Sequence, residues 1–351
     1  MNKSPLIPLH NESLPQTVKQ VRFTPDGSSL SIVTESSDFS VLKFFDSPPL
    51  PELVIKTGGD IFDHDFYPGF SVAEPASQSV LIASRNRPVH LYSCVSGLPV
   101  SAYTAHSFTE QIVHPLSIKF SPQSRTIMGG FAQSTVRVWD VQRPGRQAQD
   151  LVFTTRKGQG TQKGIISSVC FANEDSFFAG SYSKDIFMYD IRDKKQCMRI
   201  GSDNSAFGGV VQMDFLTDRN MLVSAHRMHN YMHCWDVRNP ETPVMDLPRI
   251  SKNHQRTSHS IVSDRYVFAG DHFGDLTVFD LQRDGEIVLK QNVSRSPLVS
   301  VSAVLMAGDQ SDVKVACGYG CRTYPGVPDD SDVEDRSESG YSTFRYRLDL
   351  S

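Results

Sequence analysis

Val136-Arg137-Val138-Trp139-Asp140 decides how the chain is read. The segment is short, rich in β-branched and aromatic residues, and alternates apolar with polar side chains. That is the pattern of a strand with one face buried. The same shape recurs on both sides. Upstream lie Val41-Leu42-Lys43-Phe44-Phe45-Asp46 and Val89-His90-Leu91-Tyr92-Ser93. Downstream lie Ile186-Phe187-Met188-Tyr189-Asp190, Met232-His233-Cys234-Trp235-Asp236 and Leu276-Thr277-Val278-Phe279-Asp280. A looser seventh copy is Gly320-Cys321-Arg322-Thr323-Tyr324. The copies end at 46, 93, 140, 190, 236, 280 and 324, at intervals of 47, 47, 50, 46, 44 and 44 residues.

A near-constant interval with an aromatic-Asp close predicts an all-β, seven-bladed WD-repeat β-propeller. The rest of each repeat agrees. A β-rich run and a turn precede the segment, as in Val21-Arg22-Phe23-Thr24-Pro25-Asp26-Gly27, Ile118-Lys119-Phe120-Ser121-Pro122 and Val169-Cys170-Phe171-Ala172-Asn173. Between them comes a strand of small residues, such as Leu81-Ile82-Ala83-Ser84, Phe178-Ala179-Gly180-Ser181 or Phe268-Ala269-Gly270, suited to crowded inner positions. No amphipathic run has helical period and length, so a two-domain α/β arrangement has no helices to use. The propeller is expected over residues 18–351, with 1–17 a short N-terminal segment. Either Leu6 to His10 or Phe344 to Leu350 is available as the ring-closing strand, and the sequence leaves both open.

The composition sets further bounds. The 351 residues are 39% apolar and 21% charged, enough to bury a core and too ordered for wholesale disorder. Net charge is −4, so any polyanion must be met by a local basic patch. No apolar run approaches the ~18 residues of a membrane span, and the first residues carry no long apolar leader. Six cysteines are too few for a disulfide scaffold. The expected compartment is the nucleus or cytoplasm. Residues 326–341 carry acids among serines and are expected to be a solvated, disordered loop, with a phosphorylatable or basic-partner loop as the sharper alternative.

The strand register assigns loops to faces. In each blade, the turn between strands two and three shares a face with the connection from the preceding blade. Arg85, Arg87, Arg156, Lys157, Lys163, Lys184, Arg227, Lys252, His254 and Arg256 fall there. A one-sided basic arc on an acidic chain is an electrostatic footprint for nucleic acid. Tyr182, His226, His229 and Tyr231 lie near it as candidate stacking groups for unpaired bases. The plainer reading is that Lys and Arg populate solvated loops. Arg143-Pro144-Gly145-Arg146 maps to the opposite face as a turn with two solvated arginines.

Catalytic and metal signals are weak. Gly158-Gln159-Gly160-Thr161-Gln162-Lys163-Gly164 lacks the Gly-Lys-Ser/Thr order of a phosphate loop, and no Gly-x-Ser-x-Gly elbow occurs. His226, His229 and His233 divide between loop and strand, which implies no shared coordination face. Asp63, His64 and Asp65 look catalytic only in composition and are expected to make structural hydrogen bonds. No enzyme activity, cofactor, metal or small-molecule substrate is expected.

More specific pieces occur in a definite order. They are Phe23-Thr24-Pro25-Asp26-Gly27, Asp60-Ile61-Phe62-Asp63 with Phe66-Tyr67, and Ser84-Arg85-Asn86-Arg87-Pro88-Val89-His90. Then come Gly130-Phe131, Thr135-Val136-Arg137-Val138, Arg143-Pro144-Gly145-Arg146, Gly158-Gln159-Gly160 with Gly164-Ile165-Ile166-Ser167, and Gly180-Ser181-Tyr182. Last is Ala316-Cys317-Gly318-Tyr319-Gly320-Cys321-Arg322-Thr323-Tyr324-Pro325 followed by acids. In these pieces the chain resembles the telomerase Cajal body protein family over nearly its whole length. The resemblance implies a non-catalytic propeller that binds small Cajal-body RNA of the H/ACA type, or telomerase RNA, together with H/ACA ribonucleoprotein proteins. It implies residence in the nucleus, in Cajal bodies. Arg85, Arg143, Arg146 and Arg227 match family positions. Arg87, Lys157, Lys184, Arg256 and Tyr182 join the expected RNA-binding set on charge and position. Arg143 and Arg146 are expected to serve a protein partner or brace their loop. A protein scaffold without RNA contact, linked to spliceosomal small nuclear particles, is the rival reading.

Overall fold

The structure is a computed structural model that describes residues 5–43, 51–145, 149–152, 162–192, 195–201, 207–252, 254–306, 308–322 and 338–348. Among the described residues it holds 28 strands in seven four-stranded antiparallel sheets, the blades of an all-β propeller. Two compact units divide the chain, residues 1–56 with 247–351, and residues 57–246.

In the first unit, β1 (Ile7–Ser13) is followed by β2 (Val18–Phe23), β3 (Ser29–Thr34), β4 (Asp38–Lys43) and β5 (Pro51–Lys56). Strands β2 to β5 form one sheet in chain order. The second unit holds β6 (Ile61–Phe66), β7 (Ser79–Ser84), β8 (Val89–Ser93) and β9 (Pro99–Tyr103). Its next sheet is β10 (Ser117–Phe120), β11 (Thr126–Phe131), β12 (Thr135–Asp140) and β13 (Gln149–Val152). Two more follow, β14 (Ile166–Phe171), β15 (Ser176–Ser181), β16 (Ile186–Asp190) and β17 (Lys195–Ile200), then β18 (Val210–Leu216), β19 (Met221–His226), β20 (Tyr231–Asp236) and β21 (Met245–Pro248). The first unit resumes with β22 (His259–Val262), β23 (Tyr266–Gly270), β24 (Asp275–Asp280) and β25 (Glu286–Asn292), and with β26 (Leu298–Met306), β27 (Asp309–Tyr319) and β28 (Gly340–Arg347).

The last sheet runs β26-β27-β28-β1. Both stretches that the sequence left open therefore enter it: β28 is its third strand and β1 its outer one. This corrects the phase of the seventh repeat. Gly320 to Arg322 follow β27 rather than forming a third strand, because β27 is an eleven-residue strand that carries the chain past the expected position. Gly340 and Tyr341, read as the end of the acidic loop, begin β28. Residues 326–337 of that loop lie outside the described residues.

The repeated segments, within the described residues, lie on the third strands of six sheets, and their apolar side is core. Trp139 packs with Leu81, Ile118, Phe120 and Phe131, and Trp235 with Ile186, Met213 and Leu222. Cys170, Cys234 and Cys317 are buried, and burial pushes the Cys234 thiol up to about 12. Small polar side chains on the first strands lace neighbouring sheets. In the second unit, Asp63 Oδ2 accepts the Ile118 N–H at 3.0 Å and Asp65 Oδ2 accepts that of Phe120 at 2.9 Å. Ser167 Oγ donates to Val210 O at 2.6 Å. In the first unit, Ser300 and Ser302 accept the N–H groups of Val21 and Phe23 at 3.0 and 2.9 Å. The Asp63-His64-Asp65 group is thus structural: a buried amide needs a partner, and the neighbouring sheet supplies a carboxylate.

Candidate nucleic-acid interface

Within the second unit, turns between strands two and three hydrogen-bond to the connections that enter the sheets: three to the connection of their own sheet, and the Ser134 turn to that of the next. Arg85 N–H donates to Asp60 O at 2.9 Å, Ser134 N–H to Gly164 O at 2.7 Å, Tyr182 N–H to Ile165 O at 3.0 Å, and Arg227 N–H to Gly209 O at 2.9 Å. These bonds put Arg85, Arg87, Lys163, Lys184, Arg227 and Tyr182 on loops of one face of that unit.

The closest cation–aromatic pair among the described residues there is Arg227 and Tyr182. The Arg227 guanidinium carbon stands 4.1 Å from the centre of the Tyr182 ring. Its Nε is buried without a hydrogen-bond partner among the described residues, as expected for a guanidinium lying on a ring. Two glycines allow this approach. A Cβ at Gly208 would lie 1.8 Å from Arg227 O, and one at Gly209 would lie 2.8 Å from Tyr182 O. A three-bond chain holds this glycine connection in place. Trp235 Nε1–H donates to Ser224 Oγ at 2.9 Å. The Ser224 hydroxyl donates to His226 Nε2 at 2.9 Å, and His226 Nδ1–H donates to Gly208 O at 3.0 Å. The core tryptophan of β20 therefore positions the loop on which Arg227 rests. Lys184 is exposed in a left-handed conformation (φ 77°), with Met228 (φ 52°) and Tyr231 exposed nearby in sequence. A stacked guanidinium keeps its charge and presents a planar edge to phosphate or base.

His226 corrects the sequence reading. It is fully buried and both ring nitrogens are bonded, so it offers no stacking surface. The three histidines also come closer than loop and strand placement implied, because Phe207 gathers their rings at 4.3 to 5.9 Å. Asp246 accepts from His233 Nδ1–H at 2.6 Å, which leaves His233 Nε2 to accept from His229 Nε2–H at 3.0 Å. Burial holds His233 below the ordinary histidine value, against the pull of Asp246. Neither Asp246 nor Phe207 carries a spacing signal that sequence reasoning can use. Among the described residues, no three His, Cys, Asp or Glu side chains are placed to hold a metal ion.

A second group lies at the start of the second unit. Arg85 is 3.0 Å from Asp60 Oδ2 and 5.6 Å from the centre of the Phe62 ring. Phe62 stacks on His114 at 4.8 Å and 6°. Asn86 N–H donates to His114 Nδ1 at 3.1 Å. Burial, and then the Arg85 charge, lower the His114 pKa, which keeps that nitrogen an acceptor. Arg87 is exposed and reaches Gly58 O at 3.4 Å.

The other candidates fall elsewhere. Arg256 is half-buried in the first unit, on the connection that also carries Lys252 and His254. Lys252 Nζ lies 5.1 Å from the Phe273 ring centre, and His272 N–H donates to Ile250 O, so that unit repeats the turn-to-connection arrangement. Arg156, Lys157 and Arg146 lie outside the described residues. Arg143 is exposed on the turn after β12, at the sheet end away from Thr135, and pairs with Asp140 at 3.2 Å.

Fold and site define a seven-bladed β-propeller with aromatic-backed arginines on turns of its second unit. Residues 97–140 match the family profile described as WD domain, G-beta repeat. The chain is similar to Telomerase Cajal body protein 1 of Mus musculus, 29% identical over 280 residues, which cover 75% of this chain and 51% of that protein. The likeness to the Homo sapiens protein is 28% over 284 residues, covering 76% and 50%. The Drosophila melanogaster homolog is 23% identical over 241 residues, covering 67% and 42%. The resemblance read from the motifs is thus borne out, and the chain spans about half the length of the curated relatives it matches.

Proposed function

We propose that this chain is a non-catalytic RNA-binding scaffold. It binds small Cajal-body RNA of the H/ACA type, telomerase RNA, or both, and directs the ribonucleoprotein to Cajal bodies in the nucleus, with H/ACA proteins as neighbours. The observation that carries the reading is the Arg227 guanidinium carbon held 4.1 Å over the Tyr182 ring, beside an exposed Lys184 on the same turn face. The likeness to proteins named for telomerase and Cajal bodies supports the choice of RNA class.

In mechanism, Arg85, Arg87, Lys157, Lys184 and Arg256 contact phosphates, while Arg227 and Tyr182 meet an unpaired base. Arg143 and Arg146 serve a protein partner. The test is crosslinking and sequencing of RNA on the tagged protein in its own cells, beside an Arg227→Glu/Lys184→Glu variant. Small H/ACA-type RNAs sharing a loop element, and lost in the variant, are the expected result. Equal background RNA on both overturns the reading in favour of the protein scaffold.

A further inference from the structure

One aromatic side chain on this face is held away from the core by a built turn. The connection between β9 and β10 folds back on itself as a small hairpin. His106 pairs with Ile112 as an isolated antiparallel bridge, and Val113 N–H donates to Ala105 O at 2.9 Å. At its tip Glu110 N–H donates to Ser107 O at 3.0 Å, and Ser107 N–H to Gln111 O at 2.8 Å. Glu110 takes the left-handed conformation, φ 61°, the geometry of a three-residue loop closed by a bulge. Ser107 Oγ accepts the N–H groups of Thr109 and Gln111 at 3.2 and 3.3 Å and lies 2.8 Å from Thr109 Oγ1. The base of the hairpin is anchored, since Ala105 is buried in the cluster that holds Tyr103, Ile118 and Trp139.

Phe108 sits at that tip and is 90% exposed. A phenylalanine left in water contributes nothing to folding through burial. Here the turn is hydrogen-bonded on both sides of it, so the ring is displayed from a fixed mount. The return leg of the hairpin carries His114, which receives the Asn86 N–H and stacks on Phe62 beneath Arg85. Phe108 therefore stands on the same loop system as Arg85 and Arg87.

We infer that Phe108 is a stacking platform for an unpaired nucleobase whose flanking phosphates are held by Arg85 and Arg87. Three observations favour a base over an apolar protein pocket. The residues on either side of Phe108 at the tip, Ser107, Thr109, Glu110 and Gln111, are polar, and the nearest exposed apolar side chain in sequence, Ile112, lies below the tip at the His106 bridge. The adjoining turn supplies two exposed arginines. A single ring on a narrow tip suits one flat partner, and every base has a face to offer. The inference rests on the RNA-binding reading and extends it to a second contact away from Arg227.

The test uses Phe108→Trp in the full chain, titrated with size-selected small nuclear RNA, alongside filter binding of Phe108→Ala and Arg227→Glu. The response of the unmutated chain, from its two buried tryptophans, is subtracted, so the difference reports the tip. Quenching of that emission by RNA is expected, with binding of Phe108→Ala weakened roughly 5- to 150-fold. If RNA binds in an Arg227-dependent manner, while the tip emission is unmoved and Phe108→Ala binds normally, this inference fails and the RNA reading stands. If no protein retains RNA, both fail. A tip response to nuclease-treated nuclear protein, and none to RNA, overturns the inference in favour of a protein pocket.

Discussion

Ser224 is a small residue with a large consequence. Its hydroxyl accepts from Trp235 and donates to His226, which in turn holds the carbonyl of Gly208. Removing it leaves two buried polar atoms unpaired. Ser224→Ala is expected to cost about 2 kcal/mol of stability, read as a lower urea midpoint at constant slope. Gly208→Ala acts on the site itself, because the added methyl collides with Arg227 O. A lower urea midpoint together with weakened RNA retention is expected, and full retention would break the link between this glycine and Arg227. The histidines set a pH dependence. Burial lowers His90, His114 and His233 from the ordinary 6.5. A base with a depressed folded value binds its proton more readily unfolded, so this stability is whole above about pH 6.5 and is lost below it. Urea midpoints at about pH 7.5 and about pH 5.5 should differ, the lower pH giving the lower midpoint, with a smaller difference in His233→Gln.

At the level of strands, the sheets are joined by side chains reaching between first strands. Asp63 is the clearest case in the second unit, with one oxygen on its own strand and one on Ile118. Asp63→Ala orphans that amide, at about 1–3 kcal/mol. The checking measurement is hydrogen exchange, where the Ile118 amide should lose protection ahead of those within β11 and β12. Strand order and loop faces were legible because the aromatic-Asp close repeats at a steady interval and β-strands alternate faithfully. The seventh repeat was mistimed because β27 is longer than its counterparts, and spacing carries no warning of that. The turn face of Arg85, Lys184 and Arg227 followed from register alone. The ring of histidines about Phe207, the Asp246 contact and the bare tip at Phe108 did not, since they arise from side chains meeting across loops distant in sequence.

For the chain as a whole, the sheet β26-β27-β28-β1 is assembled from residues near both ends of the sequence. Ile7 pairs with Arg345 and Ser13 with Gly340, and the Tyr319 and Ser342 hydroxyls both donate to Asn11 Oδ1 at 2.9 Å. Deleting residues 1–17 bares the edge of β28 and strips Leu6 from the core. A lower melting temperature and self-association by size-exclusion chromatography are the expected results, and an unchanged monomer would show β1 to be dispensable.

The same pairing sets the order of events during synthesis. Strand β1 leaves the ribosome more than three hundred residues ahead of its partner β28. Val21 likewise waits for Ser300. At about 5–20 residues per second, translation holds β1 unpaired, and the Val21 amide without its Ser300 acceptor, for tens of seconds. Such long-range closure is slow even when the chain is complete. Synthesis of this chain therefore includes an interval in which β1 is exposed, and chaperone demand should fall on that interval.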